Sequence, residues 1–114
     1  MYAEIWMNMN RTMTEQNNHD KCVLQIAEKW VDDGYIVFAD LDGWNLPSEI
    51  EGYIPDVMAV KKGVARVCEI ETENTFEEHK SQWESFRKYS ENIKGTSFWL
   101  FLAKEDGKCK YIDV

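Results

Sequence analysis

Two short apolar runs joined by a tight turn stand in the middle of the chain and constrain its fold most strongly. The runs 57–60 and 64–68 have the length and composition of β-strands. Lys62-Gly63 between them predicts a two-residue hairpin turn. In that register Asp56, just before the first strand, lies opposite Glu69 on the second. The chain is therefore expected to contain an antiparallel hairpin that brings two acidic residues together.

A third acid, Glu71, extends this pair. Because side chains in a strand alternate between faces, Glu69 and Glu71 project to the same side, about 7 Å apart, with Asp56 beside them. Carboxylates that converge in this way repel one another unless a cation, a shared proton or solvent offsets their charge. Mg²⁺ prefers oxygen ligands and is typically held by one or two carboxylates together with phosphate oxygens. The hairpin therefore predicts a site for Mg²⁺ or Mn²⁺.

The rest of the chain predicts one α/β (α+β) domain. Positions 1–18 are predicted to be an irregular or weakly helical lead-in, and positions 19–114 a single domain. Apolar residues recur at helical spacing from about Asp20, and Gly34 ends that helix. A second helix is predicted from about Thr75 to Asn92. The remaining predicted elements are strands at 35–39, 97–103 and 109–113 and a loop at 40–52. The order αβββαββ predicts a mixed central sheet flanked by helices.

The loop at 40–52 is long enough to carry function. Asp40 and Asp42 match the first and third places of a calcium-loop template, but Asn45 stands where that loop needs glycine. This mismatch disfavours a calcium loop. Trp44 and Leu46 are instead expected to pack the loop onto the domain.

Three cysteines, Cys22, Cys68 and Cys109, lie far apart in the sequence and form no CxxC pair. They are predicted to be buried reduced thiols, and neither a disulfide framework nor a zinc site is expected. No apolar run is long enough to span a bilayer, and no secretory pattern is present. A cytoplasmic protein without a membrane partner is therefore expected.

The formal net charge of -8 at pH 7 argues against a simple nucleic-acid-binding surface, because phosphate binding normally needs basic residues. The charge is uneven along the chain. Acidic residues dominate between Asp40 and Glu78, whereas basic residues outnumber acidic ones between Lys80 and Lys110. A cation bound among the acids would neutralise them locally.

The hairpin resembles the core of the PD-(D/E)xK, or restriction-endonuclease-like, nuclease superfamily. The resemblance rests on Pro55-Asp56 at the start of one strand, Glu69-Ile70-Glu71 on the next, and the element order over nearly the whole chain. It implies that Asp56 and Glu69 ligate the metal, with the carbonyl of Ile70 as a further oxygen. It also implies that Glu28 on the first helix matches an additional acid that many members carry.

The chain departs from that pattern at Glu71, where most members have lysine. Some restriction enzymes of the superfamily have glutamate there, and Glu71 would then accept a proton from the attacking water or join the metal shell. Lys80 is expected on the buried face of the second helix, where its ammonium could extend towards Glu71 and replace the missing cation. His79 and Gln82 are candidates for orienting water or phosphate. A solvated surface position is the alternative for each of these helical residues.

The leading hypothesis is a Mg²⁺- or Mn²⁺-dependent endonuclease that hydrolyses duplex or branched DNA through metal-activated water. The alternative is a catalytically inactive nuclease-fold domain that binds nucleic acid or protein. A plain metal-binding protein is a third possibility. A homodimer is plausible because a chain this short has few residues with which to embrace a duplex, and Trp6, Trp44 or Tyr89 could supply its interface if they are not in the core.

Overall fold

The computed structural model describes residues 11–114, which form five strands and three helices. The helices are α1 (Met13–Asp32), α2 (Glu73–Phe76) and α3 (Lys80–Glu91). The strands are β1 (Ile36–Ala39), β2 (Val57–Lys61), β3 (Val64–Glu71), β4 (Thr96–Ala103) and β5 (Cys109–Ile112).

The strands form one mixed sheet in the order β1-β2-β3-β4-β5. β3 and β4 are parallel and are connected through α2 and α3, whereas the other neighbouring pairs are antiparallel. The predicted hairpin register is confirmed, because Lys61 pairs with Val64 and Val57 pairs with Cys68. The α+β class and the mixed sheet with flanking helices are likewise confirmed.

Helix α1 begins at Met13, seven residues before the predicted start at Asp20. A capping box explains the earlier start: the backbone N–H of Glu15 donates to the Thr12 hydroxyl, and the Thr12 N–H donates to the Glu15 carboxylate, both at 3.1 Å. Residues 13–18 of the predicted irregular or weakly helical lead-in therefore belong to α1, and residues 1–10 lie outside the described part of the chain.

The predicted second helix is divided into two, α2 and α3. The carbonyl of Phe76 accepts a hydrogen bond from the indole N–H of Trp83 at 3.0 Å. The backbone N–H of Lys80 donates instead to the backbone carbonyl of Glu77, three residues earlier, at 3.2 Å. The regular i to i-4 pattern is interrupted there, so residues 77–79 form a turn.

The two faces of the sheet carry separate cores. On one face α1 packs against the sheet through a large cluster that includes Trp30, Val57 and Ile70. On the other face Phe86 of α3 is fully buried against Val67, together with Ile50 from the long loop. The start of β2 and the end of β3, which lie side by side, are thus held between α1 on one side and the α2–α3 segment on the other.

The prediction of reduced thiols holds for Cys68, which is buried and free, and is wrong for the other two cysteines. Cys22 of α1 and Cys109 of β5 form a disulfide, with their Cα atoms 5.5 Å apart. The packing of α1 across the sheet brings these residues together, although they are separated by 87 positions in the sequence. None of the helices in residues 11–114 is long and apolar enough to cross a membrane.

Candidate active site

An open cleft of about 990 Å³ lies at the ends of β2 and β3, between α1, the long loop and the start of α3. Its polar lining includes Asp56 and Glu69, which the sequence predicted, and Arg11 and His19, which it did not. The cleft therefore coincides with the acidic end of the hairpin.

The Asp56 carboxylate is held from two sides. Its Oδ2 accepts the backbone N–H of Ile70 at 2.8 Å and lies 3.2 Å from Nε2 of His19. Burial alone would raise the pKa of Asp56, but the charge of His19 and these hydrogen bonds outweigh it and lower the pKa to about 2. Asp56 is therefore the ionised member of the acid cluster.

Glu69 meets Asp56 from the neighbouring strand. Its Oε1 accepts the backbone N–H of Asp56 at 3.1 Å, and its Oε2 accepts the side-chain amide of Gln82 at 2.9 Å. Burial and the charges of Asp56 and Glu71 raise the pKa of Glu69 well above its usual value. The negative charge of Asp56 therefore disfavours ionisation of Glu69, and the ionisation of each acid depends on that of the other.

Glu71 lies behind the wall of the cleft and has no exposed side-chain surface. Its Oε1 accepts from the Thr75 hydroxyl at 2.7 Å and lies 2.9 Å from Nδ1 of His79 and 3.3 Å from a guanidinium nitrogen of Arg11. Burial raises the pKa of Glu71, and the Thr75 hydrogen bond and the charges of His79 and Arg11 oppose that rise. Its Oε2 is buried and has no hydrogen-bond partner in residues 11–114.

His19 and Asp20 are two of the site residues that the sequence reasoning missed. Nδ1 of His19 lies 3.0 Å from the Asp20 carboxylate, so the imidazole bridges Asp20 and Asp56. Burial lowers the pKa of His19, but the charge of Asp56 and the hydrogen bonds to both acids raise it to about 9. The signal was present, because His19 is four residues before the apolar Val23 and continues the buried stripe of α1.

Two predicted site residues lie elsewhere. Glu28 is exposed on α1, nine residues and more than two helical turns beyond His19, and it does not line the cleft. Lys80 is exposed at the start of α3 and forms no ion pair with Glu71 in the described part of the chain, so its predicted placement on a buried face is wrong. Because the turn at 77–79 resets the helical phase, it is His79 that points at Glu71.

The carbonyl of Ile70, predicted as a metal ligand, lies 3.4 Å from the guanidinium of Arg11. Arg11 thereby contacts both Ile70 and Glu71, and its side chain is only 8% exposed. The cation beside Glu71 thus comes from the residue that precedes the N-cap of α1, which no motif on β3 could indicate.

The long loop also differs in part from expectation. Trp44 packs against the α1 core as predicted. Leu46 does not: 54% of its surface is exposed, and it lines the cleft. Tyr89 is partly buried against the α3 core, and Trp6 lies outside the described residues.

Within residues 11–114, no group of three or more His, Cys, Asp or Glu side chains converges in a geometry that could hold a metal ion. The structure therefore offers a pair of carboxylates rather than a complete cage of protein ligands. No protein-family model matches the chain, and no curated protein matches it.

Proposed function

We propose that the protein is a metal-dependent nuclease that hydrolyses DNA phosphodiester bonds at the Asp56–Glu69 pair. The observation that carries the proposal is that Asp56 and Glu69 both line an open cleft, where Oε1 of Glu69 accepts the backbone N–H of Asp56 at 3.1 Å. Two such groups are tolerated together when a cation or a proton lies between them. Three consecutive strands, a helical segment and a fourth strand parallel to the third are what a restriction-endonuclease-like core would require, and this order supports the proposal.

The donor set suits Mg²⁺ or Mn²⁺. Both carboxylates are hard oxygen donors, and Mg²⁺ keeps several of its waters and needs only one or two carboxylates from the protein. Gln82 and the Ile70 N–H fix the orientation of the two carboxylates, as outer hydrogen bonds do at metal sites. When bound, such an ion supplies a nucleophile at neutral pH and stabilises the charge of a phosphodiester transition state.

Arg11 and His79 supply what the missing motif lysine would provide. Both line the cleft and both contact Glu71, which is itself withdrawn from the cleft. Glu71 therefore acts as a positioning residue that holds two basic side chains beside the Asp56–Glu69 pair. These side chains are placed to meet a phosphate of the substrate.

The test is cleavage of labelled DNA in Mg²⁺ or Mn²⁺ by the wild type and by Asp56→Asn and Glu69→Gln. We expect each of these substitutions to abolish cleavage and to weaken Mn²⁺ binding measured by calorimetry. Glu28→Gln is the matched control, because it makes the same chemical change at an exposed position outside the cleft. The proposal would be refuted if the wild type neither cleaved DNA nor bound Mn²⁺. It would also be refuted if Glu28→Gln lost activity while Asp56→Asn and Glu69→Gln kept it.

One observation favours the alternative, a nuclease-fold domain that binds without catalysis. The acids of the site already have partners within the protein: Asp56 contacts His19, and Glu71 contacts Arg11 and His79. A site balanced in this way is stable without a metal ion. This alternative predicts that Asp56→Asn and Glu69→Gln leave binding to a nucleic acid or a protein unchanged.

A further inference from the structure

One wall of the cleft is apolar and open to solvent. Leu46 is 54% exposed, Ile54 is 39% exposed on the same loop, and Leu24 of α1 faces the cleft with 39% of its surface exposed. Trp44 also lines the cleft and is partly buried. This apolar wall, defined as Leu24, Trp44, Leu46 and Ile54, stands beside the acidic pair.

The loop that carries most of the apolar wall is held in place by backbone hydrogen bonds. The N–H of Ala39 donates to the backbone carbonyl of Asn45, and the N–H of Asp40 donates to the backbone carbonyl of Asp56, both at 2.9 Å. Further along, Ile50 and Tyr53 exchange two hydrogen bonds, at 2.7 and 3.0 Å. The exposed apolar residues are thus part of a built surface rather than the tip of an unsupported loop.

The charge of the cleft restricts what can bind there. Arg11 and Lys21 are its only lysine or arginine side chains in the described part of the chain, and the acids Asp20, Asp40 and Asp42 line it besides the Asp56–Glu69 pair. A duplex presents twice the phosphate charge per unit length of a single strand, and each phosphate contact normally uses a lysine or an arginine. This cleft suits a ligand with few phosphates and an apolar surface of its own.

We propose that the substrate of the Asp56–Glu69 site is an unpaired nucleic-acid strand whose exposed bases contact the apolar wall. The inference rests on the proposed nuclease function and adds the form of its substrate. Unpaired bases expose the faces that a duplex buries, and stacking on an aromatic side chain is independent of sequence. Recognition through bases also explains how an acidic protein can bind a polyanion with so few basic contacts.

Binding is measured by fluorescence anisotropy with four labelled probes in Ca²⁺, which avoids cleavage. The probes are a mixed-sequence single strand, the same strand annealed to its complement, a single strand of abasic sites, and a poly-anionic peptide. We expect the single strand to bind at least about tenfold more tightly than either the duplex or the abasic strand. With one arginine and one lysine in the cleft to contact phosphates, the slope of log K against log salt should be no steeper than about -1.4.

Leu46→Ser and Trp44→Leu should each weaken single-strand binding at least about fivefold and leave duplex binding unchanged. Ile36→Ser is the control, because Ile36 is 66% exposed on β1 and does not line the cleft. Thermal unfolding of each variant identifies any loss that arises from misfolding.

Equal binding of duplex, abasic strand and single strand would overturn the inference, and so would binding that Leu46→Ser and Trp44→Leu do not change. Binding of the peptide alone, or of none of the probes, would overturn it as well. These outcomes are distinct from failure of the proposed nuclease function, which is measured separately as metal-dependent cleavage. A protein that cuts duplex DNA without any preference for unpaired strands would keep the function and lose the inference.

Discussion

The ion pair between His19 and Asp56 makes the stability of the metal-free protein depend on pH. His19 has a pKa of about 9 in the folded chain, compared with 6.5 when it is unperturbed. Below pH 6.5 the imidazole is protonated whether or not the chain is folded, so the stabilising contribution is fully present. It is lost as the pH rises through about 9, because the folded chain then gives up its proton too. The difference between the two pKa values corresponds to about 3 kcal/mol of unfolding free energy.

His19→Gln isolates this contribution, because glutamine can donate a hydrogen bond to Asp56 but carries no proton that titrates. The unfolding free energies of wild type and variant are measured by urea denaturation with tryptophan fluorescence, in EDTA, from pH 6 to 9.5. Burial also raises the pKa values of Glu69 and Glu71, so both proteins lose stability as the pH rises above the usual glutamate range. The difference between the two curves reports His19.

We expect the wild type to exceed the variant by about 3 kcal/mol near pH 6 and the gap to close towards pH 9.5. Asp56 gives a second check at the acid end. Its pKa is lowered to about 2 by the same ion pair, so its stabilising contribution is present above pH 3.8 and is lost as the pH falls through about 2. Two curves that run parallel from pH 6 to 9.5 would refute the reasoning, since His19 would then be uncharged or equally charged in both states.

Two further predictions concern the fold. Gly95→Ala should lower the unfolding free energy by about 1–3 kcal/mol more than Gly43→Ala. A Cβ at Gly95 would lie 2.6 Å from the carbonyl oxygen of Gly63, whereas a Cβ at Gly43 would meet no atom within 4 Å. Gly43 is the matched control because the two glycines have similar positive φ angles. Equal losses in urea denaturation would contradict the close approach of the two loops. Because Cys22 and Cys109 form a disulfide and Cys68 is free, a thiol assay on the denatured, unreduced chain should find one free thiol. The disulfide joins residues 87 positions apart, so its reduction should lower the unfolding free energy by about 4 kcal/mol. Cys109→Ser should remove the effect of the reductant, and three thiols in the unreduced chain would contradict the pairing.

The hairpin could be predicted from the sequence because it is a local structure. Its turn residues and its two apolar runs are adjacent in the chain, so the register that brings Asp56 opposite Glu69 follows from the turn length alone. The pairing of Lys61 with Val64 confirms that register. The mixed sheet could be predicted for a related reason: a strand, a helical segment and a further strand favour a parallel pair such as β3 and β4.

The partners of the acids could not be predicted in the same way. Arg11 and His19 are separated from Glu71 and Asp56 by 60 and 37 positions, and only the packing of α1 against the sheet brings them together. One continuous helix would place Lys80, and not His79, on the face towards Glu71. The turn at 77–79 breaks that helix, and a shift of one residue changes which side chain faces Glu71.

The site as a whole is an arrangement of charges that compensate one another. Asp56 is ionised because His19 is cationic, and its negative charge in turn raises the pKa of Glu69. Glu71 is buried beside the guanidinium of Arg11 and the imidazole of His79, which come from the segment before α1 and from the turn before α3. Because metal ligands must be deprotonated and the pKa of Glu69 is raised, a cation that binds the Asp56–Glu69 pair would compete with protonation of Glu69 rather than fill a ready-made cage. The acidity that argues against a nucleic-acid partner is therefore concentrated where a divalent ion and a strand with few phosphate contacts could bind together.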